Sequence, residues 1–285
     1  MSSTSQQRTL LTVGLPSHGK TTYLAALWYR LSRAQLQSTL KLKRLPDSAA
    51  YLNEISETWI DRQVPTHTPS GTFFEVALSL ETADGRSIDV IFPDYSGEAI
   101  ANAWSIRRWP GEFDTLAKRA SAIAILVNPA HVYPASTIEE LRLPATLDAS
   151  PPDATIGAAS YDPTASPTQV QLVDFLQTVF VRRSRGAKPP VVVIVTAWDL
   201  VKQEGVTPEE WLKARLPLLN QYLSCVGPTF RFNVFGVSAT GGRIPEDRDE
   251  LVCTEPGSRT ESVLSTGSST SDITEPIAWL IEASR

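Results

Sequence analysis

Thr9 to Val13 (TLLTV) is a short apolar run that stops at Gly14, after which Leu24, Leu27, Trp28 and Leu31 recur at helical spacing. The pattern predicts a strand, a loop and a helix. Residues 34 to 71 are too long for a plain connection, and Leu52, Ile55, Trp59 and Ile60 place a further helix inside them. Phe74, Val76, Leu78 and Leu80 alternate, Ile88, Val90 and Phe92 alternate again, and Asp84-Gly85 between them signals a tight turn. That is a β-hairpin, so one strand must run antiparallel to its neighbour. A helix around 111 to 119 leads into AIAILVN, 122 to 128, whose unbroken apolarity suits a strand covered on both faces.

Val170, Val173 and Phe175 to Phe180 predict an amphipathic helix, and PVVVIVTAWDL, 190 to 200, a second buried parallel strand. Thr207-Pro208-Glu209-Glu210 combines an N-cap, a proline at the first helical position and a capping-box glutamate, opening a helix through Trp211, Leu212, Leu216 and Leu219. Phe230 to Ser238 is the last expected strand, and Thr274-Glu-Pro-Ile starts a terminal helix. The order implies an α/β fold: a mostly parallel six-stranded sheet with one antiparallel strand and helices on both faces. Ligands then belong at the carboxyl ends of the strands. This organisation uses the whole chain, so residues 1 to 285 are read as one domain with two elaborations. One is a long Pro-rich insertion at about 129 to 168, with seven prolines among many Ala, Ser and Thr. The other is a polar segment at about 241 to 275, expected to be a mobile loop.

Composition narrows the function. Lys and Arg number 26 against 31 Asp and Glu, a net charge of -5 that gives no broad footprint for nucleic acid or an anionic membrane. The N-terminal residues lack a signal-peptide pattern, and no apolar window is long enough for a membrane span, so a cytoplasmic protein is expected. Cys225 and Cys253 are too few for a disulfide framework or zinc site and are read as one packed and one loop thiol. His18, His67 and His131 are scattered without ligand-like spacing.

The chemistry sits at strand ends. Gly14-Leu-Pro-Ser17-His18-Gly19-Lys20-Thr21 matches G-x-x-x-x-G-K-[ST] in full, after a predicted strand and into a predicted helix. Backbone amides of residues 17 to 21 and the positive helix end would cradle phosphate oxygens. Lys20 would neutralise the β- and γ-phosphates, and Thr21 would offer its hydroxyl to Mg²⁺, with Thr22 just beyond. The His18 side chain has no required role in that scheme. Asp94-Tyr-Ser-Gly97-Glu98 follows the second hairpin strand. Asp94 there can hold the Mg²⁺ shell, and the Gly97 amide can approach a γ-phosphate unobstructed by a side chain. Thr196-Ala-Trp198-Asp199 and Ser238-Ala239 close the last two strands.

With these four motifs in order, the chain resembles the P-loop GTPases of the Ras-like, translation-factor-related class over most of its length. The resemblance implies that Asp199 accepts hydrogen bonds from the guanine N1-H and 2-amino group, and that Thr196, Trp198, Ser238 and Ala239 belong to the base site. Gly-Leu-Pro-x-x-Gly-Lys-Thr-Thr-Tyr-Leu followed by Trp-Asp is also similar to the bacterial double-GTPase group, encoded in conflict-related multi-protein systems. That implies a nucleotide-dependent switch working beside partner proteins. Three positions depart from the pattern. Ala197 replaces the lysine that packs along the guanine plane, and Trp198 either supplies flat contact instead or belongs to the core. Glu98 stands where a water-orienting glutamine is usual, so hydrolysis is slow or uses another group. The switch threonine is one of Thr66, Thr68 and Thr72. Arg107 and Arg108 read as a solvated basic face, with a charge clamp as the alternative.

Two functions follow. One is a GTP-hydrolysing switch that binds Mg²⁺ with GTP or GDP and is read by protein partners through segments near 62 to 72 and 94 to 112. Lys20 and Glu98 are its candidate catalytic residues. The other is a nucleotide-binding scaffold with little turnover, suggested by Ala197 and Glu98. A P-loop ATPase or nucleotide kinase is a further alternative, disfavoured by the antiparallel hairpin leading into D-x-x-G.

Overall fold

A computed structural model describes residues 8–33, 35–63, 74–94, 103–109, 111–135, 163–183, 188–244 and 246–284. The first strand, β1 (Thr9–Val13), is buried throughout and runs through the phosphate-loop stretch into α1 (Lys20–Leu31). A short strand β2 (Leu40–Leu42) and helix α2 (Ala49–Ile60) precede the hairpin of β3 (Phe74–Thr82) and β4 (Ser87–Asp94). Its turn needs Gly85, whose φ of 81° few side chains tolerate. Helix α3 (Gly111–Arg119) leads to β5 (Ala122–Val127), and α4 (Thr168–Arg182) to β6 (Val191–Thr196). Both strands are buried at every position, as their unbroken apolar runs require.

The single helix expected after Thr207 is instead two, α5 (Pro208–Arg215) and α6 (Pro217–Cys225). Pro217 has no amide hydrogen to continue α5 and holds Leu216 out of the helical region, at φ -132° and ψ 56°. The capping box at Thr207 forms as expected, with Glu210 bonded back to the Thr207 amide at 2.8 Å. Strand β7 (Phe232–Ser238) follows.

Among the described residues the sheet has nine strands in the order β2-β3-β4-β1-β5-β6-β7-β8-β9. Its centre, β3 to β7, is the expected set of six, with β4, β1, β5, β6 and β7 parallel and β3 antiparallel. The three additional strands are short and lie at the edges. Residues 241 to 275, expected as a mobile loop, instead build α7 (Arg248–Val252), α8 (Pro256–Arg259), β8 (Glu261–Val263) and β9 (Ser269–Thr270). Their polar composition misleads because β8 and β9 are edge strands of two or three residues, too short for a readable alternation. The final helix is α9 (Glu275–Ala283).

Each face of the sheet has its own core. On one, α1, α2 and α9 pack through Leu27, Trp59 and Ile277 onto residues such as Leu10 and Ile194. On the other, α3 to α6 pack through Phe113, Leu176, Trp211 and Leu219 onto Ile123 and Val193. Of the Pro-rich insertion, 136 to 162 lie outside the described residues, while 129–131 and 163–165 are single 3-10 turns. Cys225 and Cys253 are both exposed, so the packed thiol expected from sequence is not found. Among the described residues no helix is long and apolar enough to cross a membrane.

Candidate nucleotide site

The carboxyl ends of β1, β5, β6 and β7 converge on the start of α1, because the parallel order puts all four there. The turn from β1 to α1 approaches β5 closely: a Cβ on Gly14 would lie 3.1 Å from the Leu126 carbonyl. Ser17 and Gly19 both take left-handed conformations, at φ 60° and 78°. A side chain at Gly19 would also crowd Thr196, with its Cβ 3.0 Å from the hydroxyl. The first turn of α1 carries no acidic residue, so the positive helix end is uncompensated there. Lys20 lies back along the loop, its Nζ donating to the Gly14 carbonyl at 2.6 Å and the Leu15 carbonyl at 3.4 Å.

The loop is tied down from beneath. Thr196 Oγ1, at the end of β6, lies 3.1 Å from the His18 carbonyl and 3.2 Å from the Val127 carbonyl. Asn128 Nδ2 donates to the Ser17 carbonyl at 3.2 Å. The His18 ring turns inward, 2% exposed, with Nδ1 3.2 Å from the Leu126 carbonyl. Burial lowers its pKa from 6.5 to about 4; the Leu126 bond opposes the shift, and the Lys20 charge adds to it. His18 is therefore a neutral strut under the loop, and its ring does not face a ligand.

Beyond the loop lies a cavity of about 360 Å³. It is lined by Gly19 and Thr22 at the start of α1, by Thr196, Ala197 and Asp199 at the end of β6 and just after it, and by residues including Asn128, His131, Ala239, Thr240, Arg243 and Gln63. Ser238 does not line it but stands behind Asp199, its Oγ donating to the carboxylate at 2.5 Å while accepting from the Gly241 amide at 3.0 Å. Trp198, expected either to cover a base or to belong to the core, is in the core at 1% exposure. It packs so tightly on Gly236 that a Cβ there would lie 2.3 Å from the indole. Ala197, at φ 48°, thus lines the cavity with only a methyl group.

Several wall residues were not anticipated. Asn128 and His131 follow β5, where Asn128 caps the 3-10 turn by accepting from the Ala130 amide at 3.0 Å. The carboxyl-end rule applied to AIAILVN would have pointed to them. Arg243 belongs to the segment expected to be mobile, and Thr240 immediately precedes it. Asp94 ends β4, and the β1–β4 register, Leu11 with Ile91, places it level with Gly14. Gly97 and Glu98, and Thr66, Thr68 and Thr72, lie outside the described residues. Arg107 is not simply solvated: it pairs with Asp174 of α4, which also accepts from the Trp104 indole at 3.0 Å.

A glycine-bounded loop entering the first helix of a parallel sheet, with a carboxylate lining the same cavity from two strands away, defines a P-loop nucleotide-binding domain. The model of the Double-GTPase 1 family matches residues 11–280, and the chain belongs to that family. Among solved structures it is similar to the mammalian SRP receptor, with TM-score 0.39 and 14% identity over 86% of this chain and 98% of that one. It is also similar to the S. cerevisiae Ski7 GTPase-like domain bound to GTP, with TM-score 0.41 and 13% identity over 85% of this chain and 46% of that one. None of the curated proteins compared with it matches.

Proposed function

We propose that this protein is a guanine-nucleotide-binding GTPase that works as a Mg²⁺-dependent switch. The observation that carries this reading is the single cavity joining Gly19 and Thr22 of the phosphate loop to Asp199, whose carboxylate is held by Ser238. Phosphates would lie on the amides of residues 17 to 21 and draw the Lys20 ammonium from its carbonyl partners, an exchange that favours an anion over a neutral acceptor. The base would reach Asp199, which offers acceptors to guanine's N1-H and 2-amino group, neither of which adenine presents.

Thr21 in the first turn of α1 and Asp94 at the end of β4 are a hard-oxygen pair on neighbouring elements, a donor set that suits Mg²⁺. Such an ion, once bound, would neutralise charge developing on the transferred phosphoryl group. Glu98 follows Asp94 closely in sequence and is the candidate for orienting water, at the cost of repulsion from the polyphosphate. The segments near 62 to 72 and 94 to 112 are the candidates through which protein partners would sense the nucleotide.

Titration calorimetry with GTP, GDP and ATP in Mg²⁺ tests the reading. Guanine nucleotides should bind at least about tenfold more tightly than ATP. Equal or better binding of ATP removes the guanine assignment, and no phosphate release above that of a Lys20→Ala control removes the hydrolase.

A further inference from the structure

Helix α2 packs against α1, and Gln63, which follows its last turn, lines the cavity. Arg62 closes the helix in the left-handed region at φ 59°, and the Gln63 amide returns to the Thr58 carbonyl at 3.0 Å. That reversal leaves Gln63 on the cavity wall. One turn earlier Trp59 is buried to 1%, with Tyr29 5.1 Å from its ring and the Arg259 guanidinium 4.7 Å above it. Its indole N–H does not look for a partner in its own helix. It donates at 3.0 Å to the carbonyl of Ala239, 180 residues away. Ala239 lines the cavity beside Thr240 and follows Ser238, which holds Asp199.

The segment after β7 is thus gripped from two sides. Ser238 Oγ takes the Gly241 amide, and Gly241 lies so near the Arg259 backbone that a Cβ would come within 2.7 Å of its carbonyl. Arg62 donates to the Val252 carbonyl at 3.2 Å, fastening the same end of α2 to α7.

We propose that Trp59 is a positioning residue for the base: its indole N–H fixes the Ala239 carbonyl, and with it the 239–240 wall and the Gln63 end of α2, in the arrangement that receives the purine. This rests on the nucleotide reading above. A buried carbonyl deprived of its donor must turn to find another, and here turning moves residues 239–240, which line the same cavity as Asp199. The phosphate loop has its own ties, through Thr196 and Asn128, and does not depend on this bond.

The test compares GDP with inorganic tripolyphosphate, which has no base, by calorimetry in Mg²⁺. Trp59→Phe keeps an aromatic ring under Arg259 and removes the donor. It should weaken GDP about tenfold and leave tripolyphosphate within about twofold, as loss of one buried hydrogen bond at the base end implies. Unchanged GDP affinity, or equal losses for both ligands, overturns the proposal. Should that variant not fold, the benzothiophene analogue of tryptophan incorporated at Trp59 keeps the bicyclic shape, lacks the N–H, and is read the same way. A wild-type protein that binds neither ligand overturns the nucleotide reading and this one together; wild-type binding with unaffected variants overturns this one alone.

Discussion

Residues 14 to 21 carry the proposed phosphate cradle in one unbroken stretch, whereas the wall around Asp199 is gathered from the ends of β5, β6 and β7, the tip of α2 and residues 240 to 246. The two ends solve different problems. Phosphates need several amides in a fixed local curve, which a short loop before a helix supplies by itself. A purine needs a slot with walls on both sides, which only chain-distant pieces can enclose. Damage at the first end should therefore remove binding of every polyphosphate, while damage at the second should show only when a base is present.

Lys20→Ala breaks the cradle most directly. It should weaken GDP and tripolyphosphate alike by about 100-fold, the worth of a charge-assisted contact in a partly buried site. Calorimetry on both ligands reads it, and a loss confined to GDP would place Lys20 at the wrong end.

His18 sharpens the same contrast through stability. Its folded pKa is depressed to about 4 from 6.5, so the unfolded chain binds the extra proton first as pH falls. The stability it contributes is complete above about pH 6.5 and is lost progressively toward pH 4. Between pH 7 and pH 5 the loss should be about 2 kcal/mol. Thermal melts of His18→Gln should be nearly flat over that window. An equally steep dependence in the variant would place the sensitivity in another group.

Asp199→Ala attacks the other end. GDP should weaken about tenfold while tripolyphosphate is unaffected, and preference over ADP should narrow accordingly. Parallel titrations decide it; a matching fall for tripolyphosphate would mean that Asp199 supports the loop and not the base.

The same contrast governs what could be read from the chain. Gly14 to Thr21 declared its structure because every requirement is local: two glycine positions, a lysine, a strand before and a helix after. The central six strands were legible for a related reason, since AIAILV and VVVIVT are long, continuously apolar runs that only a doubly covered sheet can use. The base end was not. The carboxyl-end rule reaches Asn128 and His131 only as a general position after β5, and Arg243 belongs to a polar stretch that is followed by β8, which pairs onto β7. Trp198 illustrates the ambiguity best. A tryptophan beside the carboxylate of the fourth motif suits a base platform or the core, and what decides for the core is Gly236 on the adjacent strand, which makes room for the indole.

Thr196, like Asn128, lines the cavity and also ties down the phosphate loop, and it gives the smallest and most discriminating test. By sequence it opens the fourth motif and was grouped with the base. By geometry its hydroxyl works at the phosphate loop, meeting the His18 and Val127 carbonyls at 3.1 and 3.2 Å. Thr196→Val keeps the branched shape and removes the donor, so the packing against Gly19 survives while the His18 and Val127 carbonyls lose the one hydroxyl hydrogen they share. The loop should loosen without collapsing, costing about 1 kcal/mol in chemical denaturation and weakening GDP and tripolyphosphate by the same factor of about five. If GDP alone weakens, Thr196 is a base residue after all, and the division between a locally built phosphate end and an assembled base end fails at a residue that joins them.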